Sequence, residues 1–329
     1  MGGFMSNLAG GGGGGGAGQQ PAIPQQLLKP GDGGLMGAPE FPAAIGGFSL
    51  MDGVNSIAIK QRPQLAEALA DNLGLGCIEF RNKYDMYNAE TGMTLMYVEE
   101  QSGMLCRACC KPNHTLQLHV QDTRPGVPPN TPAMVVDRPF VCGGCPAFAD
   151  ICKQKATAVL PTGEVFATNK MPTFGGGFTP TIEVMGRNLE PIAKTTGPQF
   201  IVGGLLAEMS GDLHFNIYPP GTTDTKNVAP LARISKKKPA SMSARLQEFV
   251  GDSDMYMVEF AQGLESEKKM TLVSTALLLE FMLFENGASF QVDPFNQSCT
   301  CNLFTCYCFG CICPCTLTCG GNQNSDGGE

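Results

Sequence analysis

The chain has 329 residues, of which 43% are apolar and only 16% charged, with a formal net charge of −8. That length and apolar content supply a sizeable core and exclude a wholly disordered protein. The acidic balance excludes strong nucleic-acid binding through broad neutralisation of phosphates.

The first 50 residues hold 16 of the 42 glycines, seven of them in the run Gly10 to Gly16, and only Lys29, Asp32 and Glu40 carry charge. Such a segment buries too little apolar surface to offset its ordering entropy, so residues 1–53 are read as a flexible Gly/Pro-rich arm open to protein partners. No basic region precedes an uninterrupted apolar stretch, which predicts a chain that is not secreted and keeps its thiols reduced. Met1-Gly-Gly-Phe-Met-Ser6 fits the pattern for N-myristoylation at Gly2. One myristoyl chain holds a membrane only marginally, so that signal needs a second.

The body, residues 54–290, is mostly extended in pattern. Residues 77–81, 94–98, 115–120, 181–184, 200–202, 213–218 and 256–260 alternate apolar and polar side chains, with turn signals at 88–92 and 185–188. Alternation at period two with regular turns predicts an all-β sandwich or barrel. His114, His119 and His214 are read as strand residues, since no nucleophile motif accompanies them. Two stretches read as helices, Pro63 to Asn72 and residues 265–285, the second apolar at nearly every position from Met270 to Phe284. That run covers about 22 Å, short of a ~30 Å hydrocarbon core. Burial inside a barrel and a membrane span are the two placements it allows.

Residues 291–329 form a cysteine-rich tail with no charged side chain from Pro294 to Ser325. It carries Cys299, Cys301, Cys306, Cys308, Cys311, Cys313, Cys315 and Cys319, more than half of the 15 cysteines.

The body resembles the phospholipid scramblases, a family with the tubby-like fold. Asn82 to Asn88 followed by Cys106 to Cys110 looks like the family's opening strands and first cysteine cluster, and Thr196-Gly-Pro198, Gly211 to Phe215 and Ala232 to Lys236 like its central strands. Glu280 to Glu285 resembles the end of its C-terminal hydrophobic helix. The resemblance implies a twelve-stranded antiparallel tubby-like β-barrel enclosing that helix.

The family's calcium segment corresponds here to Asp252 through Glu265. Calcium takes six to eight hard oxygens, so Asp252, Asp254, backbone carbonyls at Tyr256 and Val258, and Glu265 are the candidate donors. Gly263 stands where the family pattern carries a carboxylate, which points to weak calcium affinity or none; acidic residues in a turn before a strand are the plainer reading. The family's palmitate-accepting cysteine run corresponds to Cys142, Cys145 and Cys152, and the tail offers Cys306, Cys308, Cys311, Cys313 and Cys315 among apolar neighbours for the same chemistry. Zinc competes for the thiols: Cys106/Cys109 and Cys142/Cys145 are two Cys-x-x-Cys pairs.

Lys236, Lys237 and Lys238 form the one local basic run, read as a solvated turn, an import signal or an anionic-headgroup patch. The resemblance implies a protein that moves membrane phospholipids between leaflets without ATP or covalent catalysis, under calcium control, at the cytoplasmic face of the plasma membrane. The alternative is a lipid-anchored tubby-like interaction module that scrambles nothing.

Overall fold

Alternating side chains become strands through most of the body. The computed structural model describes residues 47–62, 81–103, 113–142, 146–198, 201–203, 212–237, 255–284, 290–293 and 298–320. The helix expected at 63–72 and most of the strand expected at 77–81 lie outside these residues. In chain order the strands are β1 (Ser56–Gln61), β2 (Lys83–Asn88), β3 (Thr94–Gln101), β4 (Leu116–Asp122), β5 (Thr131–Arg138), β6 (Lys155–Val159), β7 (Val165–Lys170) and β8 (Glu183–Met185). They continue with β9 (Pro191–Thr196), β10 (Ile201–Gly203), β11 (Leu213–Tyr218), β12 (Ala232–Lys237) and β13 (Met255–Phe260). All but β10 join one closed antiparallel barrel of twelve strands, and β1 closes on β13 with Ile57 opposite Val258.

Period-two alternation sorts the barrel's two faces. Tyr84, Met86, Leu118, Val120, Met134, Val136, Phe215 and Ile217 point inward and are buried. The outer wall carries cross-strand charge pairs, Lys83 with Glu99 at 3.3 Å and Arg62 with Asp85 at 2.7 Å. A charged outer wall faces water; a membrane-spanning barrel turns an apolar band outward instead. The turn read at residues 88–92 joins β2 to β3, where Asn88 Oδ1 accepts from the Glu90 and Thr91 amides.

The helix α1 (Ser266–Leu279) runs on into a π-helical turn at Glu280–Phe284, within the bounds expected from apolarity. Every residue from Lys269 to Leu283 is buried, and α1 shares one core with the inward residues of the strands. No helix among the described residues is long and apolar enough to cross a membrane. Burial of Leu272, Val273, Leu277, Leu278, Leu279 and Phe281 contributes on the order of 10 kcal/mol before entropy is counted.

The helix is also keyed to the barrel by polar groups. Asn169 on β7 donates to Ser274 Oγ at 2.8 Å, and Thr275 Oγ1 lies 2.7 Å from Asn169 Oδ1. At the other end of the helix, Arg187 reaches Glu267 in the first turn at 2.7 Å and also pairs with Glu164. Those two carboxylates hold the guanidinium charged well above its ordinary value.

The tail continues this structure. β14 (Phe290–Asp293), β15 (Ser298–Cys308) and β16 (Cys311–Gly320) form a second sheet with β10. β15 and β16 are a hairpin whose turn residues, Phe309 and Gly310, have φ values of 49° and 90°. Two successive positive values make the tight turn that suits twisted strands. β16 is an edge strand, and Pro314 sits at one of its non-hydrogen-bonded positions, opposite Thr305. Its missing N–H faces away from β15, so the proline costs no ladder bond and blunts the free edge.

Candidate functional site

The tail cysteines fall at odd positions (299, 301) and then even ones (306, 308) in β15, which would place them on opposite faces of a regular strand. A bulge prevents this. Asn302 pairs with Thr316 and Phe304 with Cys315, leaving Leu303 as the extra residue. The bulge shifts the phase of the strand. Cys299, Cys301, Cys306 and Cys308 then share a face, and register sets them beside Cys311, Cys313, Cys315 and Cys319 of β16. All eight tail thiols therefore line one side of the hairpin, with Phe304 and Leu317 among them. The opposite side buries Asn302, Thr305 and Tyr307. Cys313, Cys315 and Cys319 are exposed and the other five are half-buried. Burial pushes the Cys306 thiol up, and crowding by Cys313, Cys315 and Cys308 adds to the effect.

The turn of this hairpin is seated against the barrel's loops. Tyr307 donates to the Gly175 carbonyl at 2.6 Å, Phe309 N–H to the Gly177 carbonyl at 2.7 Å, and Ala147 N–H to the Phe309 carbonyl at 2.8 Å. Gly175 and Gly310 meet so closely that a Cβ on either would overlap its neighbours, Tyr307 Oη in one case and Ala147 in the other. Burial raises the Tyr307 phenol well above its ordinary value.

The seam brings the body loop of the other acylation candidates to the same end of the molecule. Cys142 is half-buried, and its amide donates to the Ile151 carbonyl at 2.8 Å. Cys152 is buried at 7% exposure, which removes it from the thiols open to acyl transfer. Cys145, with Cys106 and Cys109 of the zinc reading, lies outside the described residues, as do Gly2, Lys238, Asp252 and Asp254.

The remaining calcium candidates are separated. Tyr256 and Val258 belong to β13, which pairs with β1 on one side and β12 on the other. Their carbonyls face neighbouring strands, so Met255–Phe260 of that segment is barrel wall. Glu265 precedes α1, exposed, with Lys268 Nζ 3.2 Å away. Gly263 has a φ of 76° in the turn between them, a conformation that explains glycine where the family carries a carboxylate. Among the described residues no three His, Cys, Asp or Glu side chains converge as a metal site.

Of the two readings of this stretch, the central strand that the resemblance implies for Ala232 to Lys236 holds and the solvated turn does not: Ser235, Lys236 and Lys237 are not in a turn. They lie instead in β12, where Ile234 enters the core and Ser235 is buried against His214 Nδ1 at 2.8 Å. Pairing with both β11 and β13 outweighs the local preference of charged residues for a turn. Lys236 is opposite Tyr256, its Nζ 5.9 Å from the ring centroid.

His119 and His214 are strand residues, as expected, whereas His114 precedes β4 and takes part in a buried ionic network. His114 Nε2 lies 3.0 Å from Glu100 Oε1; Ser102 Oγ donates to the same carboxylate, and the Asn82 amide to its other oxygen. Nearby, buried Arg138 donates to Gln154 and to the His114 carbonyl. Burial alone raises the Glu100 carboxyl, but the bonds from His114, Ser102 and Asn82 together hold it below its ordinary value. His119 is also depressed, by burial, with Glu99 opposing, and its Nε2 has no hydrogen-bond partner among the described residues. Both groups take up protons more readily unfolded than folded, so both stabilise the protein at high pH and lose that contribution as pH falls. The decline is expected to begin below about 6.5 through His119 and to resume below about 4.3 through Glu100. Urea melts across this range check it, and His119→Gln should flatten the upper portion only.

A family model described as Scramblase matches residues 47–286. No curated protein and no solved structure matches the chain.

Proposed function

Because the chain belongs to the Scramblase family, and its function is therefore of the scramblase type on membrane phospholipids, we propose that it moves phospholipids in both directions between the leaflets of a bilayer without ATP. It acts from the cytoplasmic face of the plasma membrane and forms no covalent intermediate with lipid. The observation that carries this reading is the family match over the whole helix-filled barrel. The one-sided row of thiols on the hairpin supports the attachment: palmitate on Cys306, Cys308, Cys311, Cys313 and Cys315, with myristate at Gly2 as the second signal. Calcium, held by Asp252, Asp254 and Glu265, is the trigger, weakened by Gly263.

A specific observation favours a second reading. The barrel encloses its helix and carries charge on its outer wall, which is a complete water-facing fold. Such a body, held to the membrane by acyl chains, would serve as an interaction module without moving lipid.

Reconstitution into vesicles carrying a fluorescent lipid separates the two. A reagent that quenches only the outer leaflet should consume more than half of the signal when active protein is present, and faster with calcium. Asp252→Ala with Asp254→Ala should remove the calcium response while leaving the basal rate. Full protection of the inner leaflet, with protein shown to be on the vesicles, would leave the interaction module as the function.

A further inference from the structure

Where the hairpin turn seats against the barrel, three loops present large apolar side chains to the outside. Phe174, Phe178 and Phe309 are 52%, 46% and 39% exposed. Their rings pack together, Phe309 lying 5.1 Å from Phe178 and 6.2 Å from Phe174 between centroids. Phe148 and Ile151 are more exposed still, at 58% and 61%. They follow Ala147, whose amide donates to the Phe309 carbonyl and whose carbonyl accepts from the Phe174 amide. A grouped aromatic surface of this kind is unfavourable in water and marks a contact. Two of the rings also stand on left-handed backbone, Phe174 at φ 59° and Phe309 at φ 49°, where asparagine or glycine would be easier. The chain accepts local strain to present them.

The surrounding charge indicates what covers this surface. Lys155 and Lys170 are exposed and directly opposite each other across β6 and β7. Like charges so placed weaken a sheet; Glu183 of β8 lies opposite Lys170 on its other side and is itself opposite the exposed Lys194 of β9. Lys153 stands beside Lys155 and Lys170, and Asp150 lies near all three, hydrogen-bonded to Lys153 at 2.8 Å. Four cations, Lys153, Lys155, Lys170 and Lys194, against two carboxylates, Asp150 and Glu183, leave a positive rim beside an apolar centre, complementary to a surface with phosphates outside and hydrocarbon beneath.

We propose that this end of the barrel is a docking face for an anionic phospholipid bilayer, with the aromatic side chains entering the boundary between headgroups and acyl chains and Lys155 and Lys170 meeting lipid phosphates. It rests on the reading that the protein works at a membrane, but it needs no acyl chain. The hairpin's thiols lie next to this face, so docking brings them to the bilayer surface.

The test uses the full chain produced without lipid modification and floated with phosphatidylcholine vesicles, with and without phosphatidylserine. The protein should float with the mixed vesicles and lose that binding as salt rises. Lys155→Gln with Lys170→Gln should weaken partition by roughly thirtyfold. Phe174→Asn with Phe309→Asn suits the backbone at both positions, so the fold should survive with an unchanged melting temperature while vesicle binding is lost. Absence of flotation, or flotation unaffected by both pairs of changes, overturns the proposal. So does a phenylalanine variant that keeps vesicle binding but changes from dimer to monomer in sedimentation, which would make the face a contact between copies. Lipid movement in the vesicle assay is scored separately: its loss with flotation intact would remove the scrambling function and leave the docking face standing.

Discussion

Replacing Asn169 by leucine is expected to destabilise the protein by about 2 kcal/mol, since two buried hydrogen bonds to the helix are lost at ~1 kcal/mol each and the Ser274 and Thr275 hydroxyls keep only the Thr271 carbonyl. Asn169 is fully buried and joins β7 to Ser274 and Thr275 of the helix, 105 and 106 residues away in sequence. The melting temperature should fall by roughly 4–8 °C, read by circular dichroism. Adding Ser274→Ala and Thr275→Val removes the hydroxyls that faced the amide, and most of the loss should be recovered, because replacing both sides of a buried hydrogen bond with apolar groups of similar shape is nearly neutral. A leucine variant that melts like the parent would mean that the helix lies somewhere other than against β7.

The second large effect is expected at the tail. Serine at all eight tail cysteines should abolish hydroxylamine-sensitive palmitate labelling of the hairpin and lower membrane partition in cells by ~100-fold or more. Each buried methylene of an acyl chain contributes ~0.8 kcal/mol, and a lone myristoyl chain gives only marginal binding. The fold supplies an internal control. Thr305 faces into the protein and is buried, so Thr305→Cys in the serine background should stay unlabelled, whereas restoring Cys313, which is exposed, should restore label. Label that persists without any tail cysteine would place the lipid on the body instead, with Cys142 and Cys145 as the candidates.

Much of the barrel was legible because alternation over five or six residues is a local signal. Residues 213–218 read as a strand and form β11 with those bounds, and apolarity alone located the helix. Closure into a barrel rested on the family resemblance, since no local pattern states that β1 meets β13. The polar anchors were illegible for the same reason. Asn169 looks like one polar residue in a half-buried strand, and Glu100 meets His114 only because the strands curve together. At Ser235 to Lys237 the charge alone pointed to a turn, whereas the resemblance of Ala232 to Lys236 to a family strand pointed to the wall, to which the apolar Ile234 commits it. In the tail the cysteines were visible but their common face was not. Counted in sequence they alternate out of phase, and only a bulge at Leu303, which has no turn residue to announce it, brings them into line.

Closure of the barrel around its helix also orders the birth of the protein. Ser56 is opposite Glu259 across the closing seam, and the helix follows that last barrel strand, with Lys269 bonding back to the Met51 carbonyl across 218 residues. A ribosome must release nearly the whole chain before the core exists, and loop closure over such distances is slow. Until then the strands hold open edges and apolar inner faces, which makes the nascent chain a client for chaperones. The cysteine hairpin follows every barrel strand in the chain, so the attachment proposed for it would wait until the barrel has what it needs to close.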